Sequence, residues 1–256
     1  MKSLVIVGGA GRMGQTMAEG LGQLGRFRIV ALVDVREPRE LFGATYAASL
    51  DGLDATTIDV VIDFSAADSV VTSANWCAEN GVALVIGTTG LSDEQRRLVV
   101  AAATKVGVVM ASNFSIGAVL AEKFAAFAAP YFDSVEIIEL HHDKKVDAPS
   151  GTSLAAAKAI QRAREGAGMA PIIDPTVRHT VAGARGADTT GGIKVHSIRL
   201  PGLVAHQQIL FGGPGEGLTI RHDSFDRVSF VQGVAVAADT IDASPRFVDG
   251  LDALID

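Results

Sequence analysis

Between residues 139 and 152 the chain reads Glu139-Leu140-His141-His142-Asp143-Lys144-Lys145-Val146-Asp147-Ala148-Pro149-Ser150-Gly151-Thr152, gathering two imidazoles, a cation cluster and a helix-start sequence. Histidine as a residue type titrates near neutrality, which makes His141 and His142 candidates to exchange a proton at physiological pH. Lys145 brings a compact charge with three donors, suited to a carboxylate and to protonating a carbanion that develops beside it. A helix that starts near Pro149-Ser150 leaves its first N–H groups without intrahelical partners and adds partial positive charge, which makes a cradle for a carboxylate or phosphate. Gly151 admits close approach to the backbone, and the Ser150 and Thr152 hydroxyls can add hydrogen bonds. Together these groups imply a reaction centre for an acidic substrate. The plainer reading of the same residues is a solvated loop followed by a helix cap. No metal centre is expected, because adjacent histidines on a strand point to opposite faces and the chain has no cysteine cluster.

Two elements must position this segment. Residues 134–140 are strand-like and residues 153–160 are helix-like, so the cluster lies on a strand-to-helix loop. The amino-terminal half holds a second pattern of chemical interest. The apolar run Leu4-Val5-Ile6-Val7 leads into Gly8-Gly9-Ala10-Gly11-Arg12-Met13-Gly14 and then into a helical spacing. Glycines at 8, 11 and 14 fit a tight turn, close approach to a pyrophosphate and close helix–sheet packing, the fingerprint of a dinucleotide site. A second apolar run, 28–33, ends at Asp34, where an acid that holds a ribose hydroxyl belongs. Asp34 favours NADH, while Arg36 and Arg12 can offset that by pairing with a 2′-phosphate, so NADH or NADPH is expected.

Further apolar strands end at Asp63-Phe64-Ser65, at Gly87-Thr88-Thr89-Gly90 and at Ala111-Ser112-Asn113-Phe114. Continuous apolar runs mark a parallel sheet buried on both faces, and ligands collect at the carboxyl ends of its strands. After Thr152 and its helix the pattern changes. Residues 194–200, 203–211 and 218–222 read as strands joined by glycine-rich turns, which indicates an open, mostly antiparallel sheet. The expectation is therefore an α/β chain: a Rossmann-type doubly wound parallel sheet, residues 1–112 and 224–256, and a second α+β domain, residues 113–223. A final helix at about 231–241 shows no strand nearby to cover and is expected to return to the first domain. The two crossings would form a hinge about which the domains close.

The 256 residues, 48% hydrophobic and 20% charged, suffice for a core without staples. The net charge of −7 argues against nucleic acid as a partner. Cys77, the single cysteine, excludes an intramolecular disulfide, and its helical setting reads as a packed core thiol. With neither a leader nor a membrane-spanning run to be seen, a cytoplasmic protein is expected. Residues 165–171 and 182–188 read as mobile loops, the latter carrying Arg185, whose position the sequence leaves open.

The segment from Glu139 to Thr152, with Gly8 to Gly14, Val85-Ile86-Gly87-Thr88-Thr89-Gly90 and Asn113-Phe114-Ser115-Ile116-Gly117, resembles the 4-hydroxy-tetrahydrodipicolinate reductase (dihydrodipicolinate reductase) family across nearly the whole chain. The resemblance implies NAD(P)H-dependent reduction of 4-hydroxy-tetrahydrodipicolinate to tetrahydrodipicolinate with loss of water, in lysine and diaminopimelate biosynthesis. It implies His141 and Lys145 as catalytic proton-transfer residues, and His142, Ser150, Gly151 and Thr152 as substrate-binding residues. It assigns cofactor contacts to Gly8, Gly9, Ala10, Gly11, Arg12, Met13, Asp34, Gly87, Thr88, Thr89, Ala111, Ser112, Asn113 and Phe114. A homotetramer built through the substrate-domain sheets is implied; the exclusion of nucleic acid and membrane rests on the charge and the apolar runs above. Val35 stands where NADPH-preferring members can carry arginine, and Ser112 stands where proline or alanine often precedes Asn-Phe. The competing readings are another two-domain nicotinamide dehydrogenase and a non-catalytic NADH-binding redox sensor.

Overall fold

The computed structural model describes residues 1–255. β1 (Lys2–Val7), α1 (Arg12–Gln23), β2 (Phe27–Val33), β3 (Thr45–Ala47), β4 (Val60–Asp63), α2 (Ala67–Asn80), β5 (Ala83–Ile86), α3 (Asp93–Ala102) and β6 (Gly107–Met110) follow in chain order. Next come α4 (Ile116–Ala128), β7 (Ser134–His141), α5 (Gly151–Gly166), β8 (Ala187–Asp188), β9 (Lys194–Arg199), β10 (Ala205–Gly213) and β11 (Glu216–Ser224). α6 (Val231–Thr240) and β12 (Arg246–Asp249) complete the series.

The chain divides into two units, Met1–Ile116 joined by the segment from Arg227 onward, and Gly117–Asp226. The first unit carries a sheet in the order β12-β6-β5-β4-β1-β2-β3, with every neighbouring pair parallel. Leu4, Val5, Ile6, Val60, Val61, Ile62, Leu84 and Val85 have no exposed surface, as strands covered on both faces require. Strand order reverses between β1 and β4, and the crevice outside the carboxyl ends there is where such sheets take ligands. α6 belongs to this unit, but the expectation that no strand lies near it is corrected: β12 follows and pairs in parallel with β6. Cys77 is buried on α2, and burial pushes its thiol pKa up.

The second unit holds a five-stranded sheet in the order β11-β10-β7-β9-β8. β7 and β9 are parallel and the other pairs antiparallel, the parallel pair being joined through α5. Alternation along β7 sends Val135, Ile137, Glu139 and His141 to one face. On that face Val135 and Ile137 pack with Ile209, Phe211 and Val195 against Ala156, Ala157 and Ile160 of α5. The opposite face carries the half-buried Ile138 and Leu140. Among the described residues no helix is long and apolar enough to cross a membrane.

Candidate active site

In the first unit the glycine turn is built by close approach. Gly8 takes φ +81°, and a Cβ there would lie 2.5 Å from the Phe64 carbonyl oxygen. Gly8 and Gly9 donate their N–H groups to the Val33 oxygen, which ties the turn to the end of β2. Gly11 is the N-cap of α1 and supplies no side-chain cap, so Arg12 and Met13 present the first N–H groups of a bare helix start. Gly14 packs so closely that its Cβ would lie 2.2 Å from the Gly8 oxygen. Asp34 follows β2; its Oδ2 accepts from the Ala10 N–H at 3.0 Å and its Oδ1 from the Arg36 N–H at 3.1 Å. Gly8, Gly11, Asp34, Val35, Arg36 and Phe64 are among the residues lining a cavity of about 400 Å³ in this unit. A glycine turn, a bare helix start and an acid at its rim fit a dinucleotide.

Gly87–Thr89 and Ala111–Phe114 lie outside that cavity's lining. Gly87 donates to the Asp63 oxygen, Ala111 donates to the Ile86 oxygen, and the Asn113 Oδ1 accepts from the Ser115 N–H. Phe114 is buried and meets the Phe64 ring edge-on at 6.0 Å. Thr89 and Ser112 are exposed. Thr88 is buried, and its hydroxyl donates to Asp63 Oδ1 at 2.8 Å.

Asp63, at the end of β4, has a use that its place in the sequence does not disclose. It is fully buried, and it also accepts from the Ser65 N–H and hydroxyl and from the Ser73 hydroxyl. One carboxylate thus joins the end of β4, the helix α2 and the β5–α3 connection. Asp63→Ala would take this acceptor from the buried Ser73 and Thr88 hydroxyls and from half-buried Ser65, and a loss of roughly 3 kcal/mol of stability is expected, read from the urea midpoint.

In the second unit His141 ends β7, and its Nδ1 lies 2.5 Å from Oε2 of Glu139, two residues back on the same face. Burial lowers the His141 pKa from its ordinary value; Glu139 opposes this, and Lys145 and Arg199 add to it. Burial raises the Glu139 carboxyl, but hydrogen bonds from Arg199, Ser197 and His141 outweigh it and hold the group below the ordinary carboxylate value. His142 lies beyond the strand and is exposed, and its oxygen accepts from the Lys145 N–H at 3.2 Å. Lys145 Nζ donates to both carboxylate oxygens of Asp147, at 2.7 and 2.8 Å.

α5 begins at Gly151 with Ser150 as its N-cap. The Ser150 hydroxyl accepts from the Ser153 N–H at 3.2 Å and sits 2.8 Å from the Ser153 hydroxyl, which donates to Gln207 Oε1. Ser150 is buried, so its hydroxyl is spent on the helix start; Gly151 is exposed, with nothing within 4 Å of where its Cβ would be. Thr152, half-buried, follows on the first turn. Arg185 donates to Glu136 of β7, and its Nε lies 3.5 Å from Asp174 Oδ1, which ties the 182–188 segment to the sheet. Arg199 and Gln207 lie outside the motif read from the sequence, and Glu139 stands within it without an assigned role. Its i, i+2 spacing from His141 is the local signal for that role.

Two family models divide the chain between them: dihydrodipicolinate reductase, N-terminus, over residues 2–114, and dihydrodipicolinate reductase, C-terminus, over residues 117–254. The chain belongs to the dihydrodipicolinate reductase family. A 4-hydroxy-tetrahydrodipicolinate reductase of Mycolicibacterium gilvum is 45% identical, with 98% of each chain covered. One of Lactiplantibacillus plantarum is 41% identical over the full length of both. The solved dipicolinate-bound dihydrodipicolinate reductase from Paenisporosarcina sp. TG-14 superposes with a TM-score of 0.88 at 39% identity, covering both chains fully. Among the described residues of this family member, no group of three or more His, Cys, Asp or Glu is placed to hold a metal.

Proposed function

We propose that this protein reduces 4-hydroxy-tetrahydrodipicolinate to tetrahydrodipicolinate, with loss of water, at the expense of NADH or NADPH, in lysine and diaminopimelate biosynthesis. The observation that carries the reading is the His141–Glu139 pair and Lys145 leading into the start of α5, in a chain that matches reductases of this name end to end. Residues 1–112 and 224–256 form the dinucleotide-binding domain in this reading, and residues 113–223 the substrate-binding and oligomerisation domain. The bound nicotinamide supplies a hydride. Gly8 to Met13 and Asp34 hold the dinucleotide's phosphates and ribose; Gly87 to Thr89 and Ala111 to Phe114 hold its remainder. Gly151 and Thr152, at the start of α5, and His142 receive the substrate carboxylates, and Ser150 acts there as the cap that fixes the helix. Lys145 stabilises charge that develops on the ring and delivers a proton, and His141 exchanges a proton with the same ring.

The face of the second sheet that carries Ile138 and Leu140 supports self-association, here a homotetramer. The protein works in the cytoplasm on a small dicarboxylate, with neither nucleic acid nor membrane as a partner.

Loss of nicotinamide absorbance, with substrate supplied from pyruvate and aspartate semialdehyde through a purified upstream synthase, tests the reading. Turnover that depends on the synthase is expected. Folded protein that binds NADH but gives no turnover with either cofactor would point to an NADH sensor instead. The same assay reads cofactor choice. Arg36, exposed at the cavity rim beside Asp34, pairs with a 2′-phosphate in this scheme. Arg36→Ala is therefore expected to lower kcat/KM for NADPH by roughly tenfold, the low end for a charge-assisted hydrogen bond, and to leave NADH within about twofold.

A further inference from the structure

His141 and Lys145 are four residues apart in sequence, yet one leaves the end of a strand and the other rides an exposed loop. Arg199 closes that gap. In the pairing of β7 with β9, Arg199 lies opposite His141. Its Nη1 donates to Glu139 Oε2 at 2.8 Å and its Nη2 to Glu139 Oε1 at 2.7 Å, a two-pronged grip on the carboxylate that also takes His141 Nδ1. The same Nη2 donates to the Asp147 backbone oxygen at 2.8 Å, and the Asp147 carboxylate holds Lys145 Nζ. The path His141–Glu139–Arg199–Asp147–Lys145 is therefore unbroken and lies within the second unit. Glu139 is fully buried, and nothing about its chemistry as an acid is needed by the proposed reaction.

We infer that Glu139 and Arg199 are positioning residues that fix the His141 tautomer and clamp the loop bearing Lys145 to the strand bearing His141. This rests on the proposed reductase reading for its catalytic consequence, but its structural content stands apart from it. Glu139, ionised, accepts from Nδ1–H. The neutral imidazole then keeps its lone pair on Nε2, and Nε2 is the nitrogen that exchanges protons with a ligand. An imidazole free in water prefers the other tautomer, so the assignment is specific. The charged groups that face His141 are Glu139, Lys145 and Arg199, and Glu139 is the one that supports its protonated form.

The test begins with wild-type protein and no substrate, by nitrogen–proton correlation of the histidine rings through a pH titration, with His141→Ala to assign the signal. Neutral His141 is expected as the Nδ1–H form; an Nε2–H form would overturn the inference without any further variant. In Glu139→Gln the His141 midpoint is expected to move to lower pH, and in Arg199→Lys the ring is expected to populate both tautomers. For turnover, both variants are expected to lose about tenfold or more in kcat with NADH affinity unchanged. Unchanged tautomer, midpoint and kcat in both would overturn the clamp. If wild-type protein shows the Nδ1–H form yet reduces nothing, the function reading fails and the clamp survives; turnover with the wrong tautomer does the reverse.

Discussion

His141→Ala is expected to lower kcat by about 10²- to 10⁴-fold, the range for removing a positioned proton-transfer group, and Lys145→Ala by a comparable factor. Neither should alter NADH affinity, measured by quenching or enhancement of nicotinamide fluorescence, by more than about twofold. Both side chains lie in the unit formed by Gly117–Asp226, whereas the glycine turn, the bare start of α1 and Asp34 all lie in the other. Loss of cofactor binding in either variant would contradict the roles assigned. The Lys145 change has a second reading to exclude, since Lys145 also neutralises Asp147. Asp147→Ala removes that pair at an exposed carboxylate, and the exposure limits the stability at stake to less than about 1 kcal/mol.

The second large effect concerns backbone packing. Gly14→Ala places a Cβ 2.2 Å from the Gly8 oxygen and 2.8 Å from the Gly8 carbonyl carbon and Gly9 Cα, all of them backbone atoms that cannot swing aside. Relief requires α1 to move away from the turn it is meant to hold. A loss of about 2–3 kcal/mol of stability is expected, together with the loss of most NADH affinity. Gly22→Ala supplies the control on the same helix. Nothing lies within 4 Å of its Cβ position, so relief of backbone entropy should make it neutral or stabilising by roughly 0.5 kcal/mol. Equal thermal midpoints for the two variants would refute the packing argument.

These cases mark what could be read from the chain in advance. The glycines at 8, 11 and 14 were legible because a strand, a turn and a helix lie in immediate succession there, and each position carries a local demand. The strands β4, β5, β6, β7, β9, β10 and β11 were legible for the same reason, as apolar or alternating runs between turn residues. β12 was not. Arg246, Phe247, Val248 and Asp249 are four half-buried or exposed residues between a serine–proline and a glycine, and only β6, far away in sequence, makes them a strand. β3 was lost likewise, at three residues.

The candidate sites follow the same division. His141, Lys145 and the start of α5 could be located from spacing. The cap at Ser150 was legible as well, as the plainer reading of the helix start. The uses of Asp63 and Arg199 could not be read, because each is decided by partners on other elements: Thr88 and Ser73 surround the first, and strand register delivers the second to Glu139.

β12 and α6 bear on the order in which the molecule can be made. Residues 117–226 leave the ribosome as one uninterrupted stretch carrying every strand of their own sheet, whereas the sheet that begins at Lys2 waits for Arg246–Asp249 to receive its last edge. α6 also lies against α1 and β5, and Gly233 lets it pass so near Phe114 that a Cβ would sit 1.9 Å from the Phe114 oxygen. A nascent chain stalled before α6 therefore displays an unfinished edge and an uncovered apolar flank on the half that emerged first. The half begun earliest is completed last, and that interval is when the chain is most open to aggregation and to chaperones.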